Sequence, residues 1–415
     1  MLTRRGLVGG GALAVAMGSR AQAQPAEVAI GALFPFSGSN AQIGADARLA
    51  IETAVDIVNT PQPDLDLPLA RDAGLPGLGG AKIRVVFADH GSEPQKGRVE
   101  AERLVADEKV VALIGTYQSA VAATVSQAAE RLGVPFMSAD NSSPSLHRRG
   151  LKYYFRAAPH DEMFSAAMFD FMDMLRAKGK KAETLALFYE DTIFGTDSSN
   201  VQRRLAGERG YRVVAEIKYQ AKTPSLGAEV KQLKAANADV LMPTSYTADS
   251  ILLVRGMTEV GWRPKGIIAQ AAGMADRAFF DAVGPQVENL ITRASFSLDL
   301  ARRRPSVGTV NAMFKARSGK DLNDNTSREL TGLLLLAYGI DQARSTEGSR
   351  IRDALAATDL PGEKTIMPWR RVSYEDTGQN PDADPVLLQY RGGASVTVFP
   401  PEVAAAEAIW PMSRA

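Results

Sequence analysis

The chain has 415 residues, with 48 Lys and Arg against 47 Asp and Glu, 45% hydrophobic residues and no cysteine. A single hydrophobic core stops growing at roughly 250 to 300 residues, so two packed lobes are expected, and the lack of cysteine excludes disulfides, thiolate metal sites, Fe–S clusters and thiol nucleophiles. A net charge of +1 leaves no basic footprint for nucleic acid, and the dispersed histidines His90, His147 and His160 supply a zinc or histidine-based centre poorly.

The first elements are an address. The segment TRRGLV from Thr3 is followed by an apolar stretch from Gly6 to Met17 and by Ala21-Gln22-Ala23. An apolar run of this length is shorter than the roughly 20 residues that span a bilayer as a helix, and it ends in a small-x-small pattern. An export signal cleaved after Ala23 is expected. The pair Arg4-Arg5 resembles a twin-arginine signal; a Sec signal is the alternative, and either route delivers the mature protein to the periplasm. Removal of Arg4, Arg5 and Arg20 leaves a slightly acidic mature chain.

From Glu27 onward, short apolar runs alternate with loops and helical stretches, the pattern of a parallel sheet flanked by helices. The first half has strands Val28 to Phe34, Lys82 to Asp89, Val110 to Gly115 and Val134 to Ser138, with helices near 42–59, 94–107 and 119–132. The Pro- and Gly-rich stretch 60–80 interrupts it and reads as a surface excursion. The series restarts with strands Thr184 to Glu190, Tyr211 to Tyr219, Asp239 to Ser245 and Gly266 to Gln270. Beyond Arg303 come two or three helices, of which Thr331 to Ala343 is the most apolar, then strands Val386 to Tyr390 and Ala394 to Pro400. The fold class is therefore α/β, two successive doubly wound halves, which bind ligands beyond the carboxyl ends of their strands.

GxxxxGK[ST], HExxH, GxSxG and a strand-linked GxGxxG are absent, so no enzyme class, cofactor or metal is indicated. Glu190-Asp191 reads as a solvated loop pair, and His160-Asp161-Glu162 as acidic residues favouring a helix N-terminus. What remains lies at strand ends. Tyr117, Gln118 and Ser119 fall between a strand and its helix, where unpaired backbone N–H groups suit an anion such as a carboxylate. Asp140, Asn141 and Ser142 fall past the next strand, and Phe194, Tyr246 and Gln270 occupy the corresponding loops of the second half. Taken singly, each serine is explained equally by helix capping and each aromatic by packing.

The strings IGALFPFSGSNAQIGADARLAIETAVDIVN, DHGSEPQKGRVEAERLVADEKVVALIGTYQSAVAATVSQAAERLGVPFMSADNSSPSL, YEDTIFGTD, TSYTADSILLVRGMTEVGW, IIAQAAGM, YEDTGQN and VTVFPPEVA together resemble the type I periplasmic solute-binding proteins of ABC importers, in the leucine/isoleucine/valine-binding branch. The resemblance implies two Rossmann-like lobes, 24–157 with 294–368 and 158–293 with 369–415, joined by three crossover strands near Ala157, Arg293 and Trp369 and closing by hinge motion over a ligand. It implies that Ser119 grips a ligand carboxylate, that Asn141 and Ser142 meet the polar head, and that Phe194 and Tyr246 supply second-lobe aromatics. Gln270 or Ala271 stands where branched-chain binders place an acid for the ammonium; that acid is missing, and Asp140 is one substitute. The implied function is a monomeric, non-enzymatic protein that binds a small solute, foremost a branched-chain type amino acid, and delivers it to an inner-membrane permease. An aromatic or other organic acid, an amide, or a ligand-sensing role on the same fold is the alternative.

Overall fold

The computed structural model describes residues 25–270, 272–275 and 277–412. The export signal, its cleavage point and Ala271 lie outside the described residues. The first half builds β1 (Glu27–Phe34), α1 (Ala41–Asn59), β2 (Lys82–Asp89), α2 (Pro94–Ala106), β3 (Ala112–Gly115), α3 (Ser119–Leu132), β4 (Phe136–Ser138) and β5 (Tyr154–Phe155). These strands form a parallel sheet in the order β2-β1-β3-β4-β5. Strand β1 is buried on both sides: Val28, Ile30, Ala32 and Phe34 pack toward α1, whereas Leu33 packs toward α2 and α3. That is why it reads as a continuous apolar run rather than an alternating one.

The second half follows with α4 (Asp161–Ala177), β6 (Thr184–Glu190), α5 (Ile193–Glu208), β7 (Arg212–Tyr219), α6 (Gly227–Ala236), β8 (Val240–Thr244), α7 (Thr247–Glu259), β9 (Gly266–Ala269), α8 (Arg277–Val283) and β10 (Ile291–Ala294). The chain then returns to the first half. Helices α9 (Pro305–Ser318), α10 (Asp324–Ala343) and α11 (Gly348–Ala356) pack with α1 in the core beneath the first sheet. A short hairpin, β11 (Asp359–Pro361) with β12 (Arg371–Ser373), precedes β13 (Val386–Arg391) and β14 (Ala394–Phe399), which complete a sheet ordered β14-β13-β10-β9-β8-β6-β7. This second sheet is mixed, because β13 pairs antiparallel with both β10 and β14.

The stretch 60–80 is not a free surface excursion. Leu65, Leu67, Leu75 and Leu78 are buried in the first core, and Gly77 donates its N–H to Asp341 Oδ1 of α10 at 2.7 Å. Glycine is required there, since a Cβ at Gly77 would sit 2.2 Å from the Asp341 carbonyl oxygen. Helix α10 starts with a capping box in which Asn323 and Thr326 satisfy each other's backbone N–H groups. Most of its length is buried, which accounts for its apolar sequence.

Candidate functional site

A cavity of about 570 Å³ lies between the loops at the carboxyl ends of β1, β2 and β3 and those of β6, β7 and β8. Its first wall includes Ser39, Asn40, Ser92 and Gln118; the facing wall includes Glu190, Thr192, Tyr246 and Asp249.

The first wall is held by a clamp around Thr116. The Ser92 N–H donates to His90 Nδ1 at 3.0 Å, so the ring proton resides on Nε2, which donates to the Thr116 carbonyl at 2.9 Å. From the other side Asn141 Oδ1 accepts the Thr116 N–H and the Ser138 hydroxyl, each at 3.1 Å. Gln118, two residues on, donates from Nε2 to Ser92 Oγ at 2.8 Å, and Asn40 Nδ2 donates to the same oxygen at 3.2 Å. The Gln118 Oε1 is buried without a hydrogen-bond partner.

The facing wall is built at the start of α5. Thr192 caps the helix by accepting the Gly195 N–H at 3.2 Å, while its hydroxyl donates to Glu190 Oε1 at 2.8 Å. Gly195 permits this close return, since a Cβ there would lie 2.0 Å from the Glu190 carbonyl oxygen. Contrary to its reading as a solvated loop residue, Glu190 is only 1% exposed. Burial pushes its carboxyl up to about 8, against the hydrogen bond from Thr192, and nearby Asp249 adds to the rise. Burial likewise raises Asp249, opposed by the Tyr219 hydroxyl and the Lys222 backbone N–H.

Of the residues singled out from sequence, Gln118 and Tyr246 line the cavity. Tyr117 and Phe194 stand behind Tyr246, with ring centroids 5.2 and 5.5 Å from it. The Ser119 N–H, at the start of α3, points at the Tyr246 hydroxyl. Gln270 is engaged below: Nε2 donates to Asp161 Oδ1 at 2.8 Å and Oε1 accepts the Ser165 hydroxyl at 3.3 Å. Ser142 joins the same group, accepting the Asp161 N–H on its carbonyl oxygen at 2.8 Å, with its hydroxyl against the Asp161 carboxyl. Asp161 is thus a buried hub as well as an N-terminal acid of α4. Asp140 lies 3.3 Å from Arg328 Nε and against the Glu329 carboxyl; burial raises both carboxyls, with Arg328 opposing the rise at Asp140 and Asp140 adding to it at Glu329. Asp140 is therefore engaged inside the first half, beside Arg328 and Glu329.

A family model described as periplasmic binding protein matches residues 27–394. The chain belongs to the periplasmic binding protein family. It is 29% identical over 411 residues to the Leu/Ile/Val-binding protein homolog 8 of Brucella suis, covering 96% of this chain and 97% of the relative. Among solved structures, a leucine-binding protein LivK of Thermotoga maritima is similar with a TM-score of 0.76 at 20% identity, covering 89% of this chain and 97% of that one. A solute-binding protein of R. palustris in complex with benzoate is similar with a TM-score of 0.75 at 18% identity, covering 92% and 99%.

The residues of this binding protein that sequence reasoning passed over include Ser39, Asn40 and Ser92 on one wall and Asp249 and the cations Lys222 and Arg255 on the other. Apart from Arg255, in the third turn of α7, these lie at carboxyl ends of strands or in the first turn of the helix that follows. The strand-end rule that singled out Ser119 and Tyr246 reaches them when applied to every strand. Glu190 was in view but its burial was not, because that depends on α5 folding back over it.

Proposed function

We propose that this periplasmic binding protein captures a small solute, foremost an amino acid, in the cavity between its two halves and delivers it to an inner-membrane ABC permease. It acts by binding alone, as an exported monomer cleaved after Ala23. In this reading the lobes are 24–157 with 294–368 and 158–293 with 369–415. The observation that carries it is the cavity of about 570 Å³ walled by both halves at the carboxyl ends of their strands, a size that fits a small organic ligand. The Brucella relative's name and the leucine-binding structure support the amino-acid class. An aromatic or other organic acid is the second reading, favoured by the Tyr246 ring that lines the cavity with Tyr117 and Phe194 packed behind it.

A thermal-shift screen against amino acids, aromatic acids, dicarboxylates and amides tests it. A solute at 100 times its Kd stabilises the native state by about 2.7 kcal/mol, a shift of several degrees. Conversion of a bound solute into a product would replace transport with catalysis.

A further inference from the structure

We propose that Arg255, with Lys222 on the same wall, forms an anion subsite at the outer end of the cavity, and that the captured solute is an elongated organic acid whose carboxylate is received there. The inference rests on the solute-capture reading and names the chemical class that the cavity selects. Three observations support it. First, Arg255 lines the cavity as an uncommitted cation. Among the described residues it has neither an ion pair nor a hydrogen bond: Glu259, one turn on along α7, does not pair with it, and Lys222 meets Glu93 of the opposite half at 3.1 Å.

Second, an apolar track leads to it. Ala248, Ile251, Leu252 and Arg255 recur at the spacing of one helical face, and all four line the cavity, with Pro94 and Ala120 lining it from the first half. At 1.5 Å per residue the run from Ala248 to Arg255 extends about 10 Å along α7, longer than the body of a small amino acid. Third, the balance of charge on the lining favours an anion. Burial pushes the Glu190 carboxyl up to about 8, so that it is protonated at neutral pH, which leaves two cations against Asp249 alone.

The planar guanidinium presents a fork of N–H donors that matches a carboxylate. An acid whose apolar body covers Ile251 and Leu252 also excludes water beside Arg255, which strengthens the charge pair beyond that of a freely exposed one. The inner end of the cavity is uncharged on the first wall, and the unpartnered Gln118 Oε1 there accepts a hydroxyl at the far end of such a solute. The position differs from the start of α3, where the family resemblance places the carboxylate on Ser119; the Ser119 N–H is already taken by the Tyr246 hydroxyl.

Matched acids and primary amides test the inference: hexanoate and hexanamide, 3-phenylpropanoate and 3-phenylpropanamide, 3-(4-hydroxyphenyl)propanoate and its amide, with L-leucine as a solute too short to span the α7 face. Calorimetric titration is run on the purified protein at pH 7, at low and at high salt. The expected result is that each acid binds roughly 10-fold more tightly than its amide, with the difference shrinking as salt is added. Arg255→Gln should abolish that difference and leave the amides and leucine unchanged, whereas Arg255→Lys should keep part of it. Lys222→Gln serves as a further variant and should reduce it by a smaller factor, with ligand-free melting curves confirming that each variant is folded. Equal affinity for acid and amide, an unchanged difference in folded Arg255→Gln, or capture of leucine or another solute with none of the acids bound overturns the anion subsite while solute capture stands. Failure of every solute, including those of the wider screen, overturns both.

Discussion

Burying a carboxyl group at the floor of an open cavity costs folding stability, and Glu190 shows which way the cost runs with pH. Its pKa is about 8 in the folded chain and ordinary for glutamate, near 4.5, in the unfolded one. Its contribution is fully present below pH 4.5 and is lost progressively as pH rises to about 8, because the unfolded state gives up the proton first. Glu190→Gln should therefore be more stable than the parent without ligand, by on the order of 3 to 4 kcal/mol at pH 7 at about 1.4 kcal/mol per unit. The gain should vanish near pH 4; urea titrations at the two pH values measure it, and equal midpoints at pH 7 would contradict it. The histidines act on the opposite side. Burial holds His90 down to about 4 and His147 down to about 3, and Arg156 donates to His147 Nδ1 at 2.5 Å, which occupies the nitrogen a proton would take. Stability from these rings is full above pH 6.5 and is lost as pH falls toward 4. His90→Gln should flatten this acid limb, a change read in the melting temperature between pH 6.5 and 4.5.

At the scale of elements, strands that carry an apolar run were legible to the residue: the runs read as 82–89 and 184–190 are β2, half-buried at the sheet edge, and β6, almost wholly buried, as they stand. Strand β10, with the sequence ITRA, was not, because four residues including a Thr and an Arg carry no apolar signal. Arg293 is buried there against groups distant in sequence, Asp324 at 3.2 Å and the Phe164 ring at 4.0 Å. The stretch 60–80 was misread for the same reason, since its anchor Asp341 lies 264 residues from Gly77. Local pattern reports which face of an element is apolar, and it is silent on which distant polar group will come to meet it. The turn from β6 into α5 makes the point testable. Gly195→Ala places a methyl group 2.0 Å from the Glu190 carbonyl oxygen, so α5 must shift and carry Thr192 away from Glu190. We expect a loss of about 1 to 3 kcal/mol in stability together with weaker solute binding. Stability lost with unchanged affinity would show that the turn does not set the wall.

At the scale of the whole molecule, the contacts joining the two halves fall into two kinds. Beside the crossovers they are buried and charged: Arg293 of β10 and Arg328 of α10 share Asp324, at 3.2 and 2.8 Å, and Asp324 also accepts the Ser295 N–H. Arg156, fully buried, donates to the Asn141 and Ser143 carbonyls and to Gln379 Oε1. Away from the crossovers they are fewer and partly exposed: Lys222 with Glu93 at 3.1 Å, and Asp197 with the Ser143 hydroxyl and the Ser145 N–H, beside the buried Tyr117–Tyr246 ring pair. Removing one member of a buried charge group leaves its partners unpaired and costs about 3 to 5 kcal/mol. An exposed hydrogen bond or ion pair is worth about 1 kcal/mol or less. A molecule built this way is stiff at its pivot and weakly latched at its mouth, the condition for opening without unfolding. Asp324→Ala should therefore lower the melting temperature by many degrees. Asp197→Ala should leave it nearly unchanged and instead shift the free protein toward an open form, with a larger radius of gyration by small-angle scattering. Because apparent affinity scales with the fraction of closed, binding-competent molecules, the same variant should bind its solute several-fold more weakly. An unchanged radius and affinity would mean that Asp197 is not part of the latch.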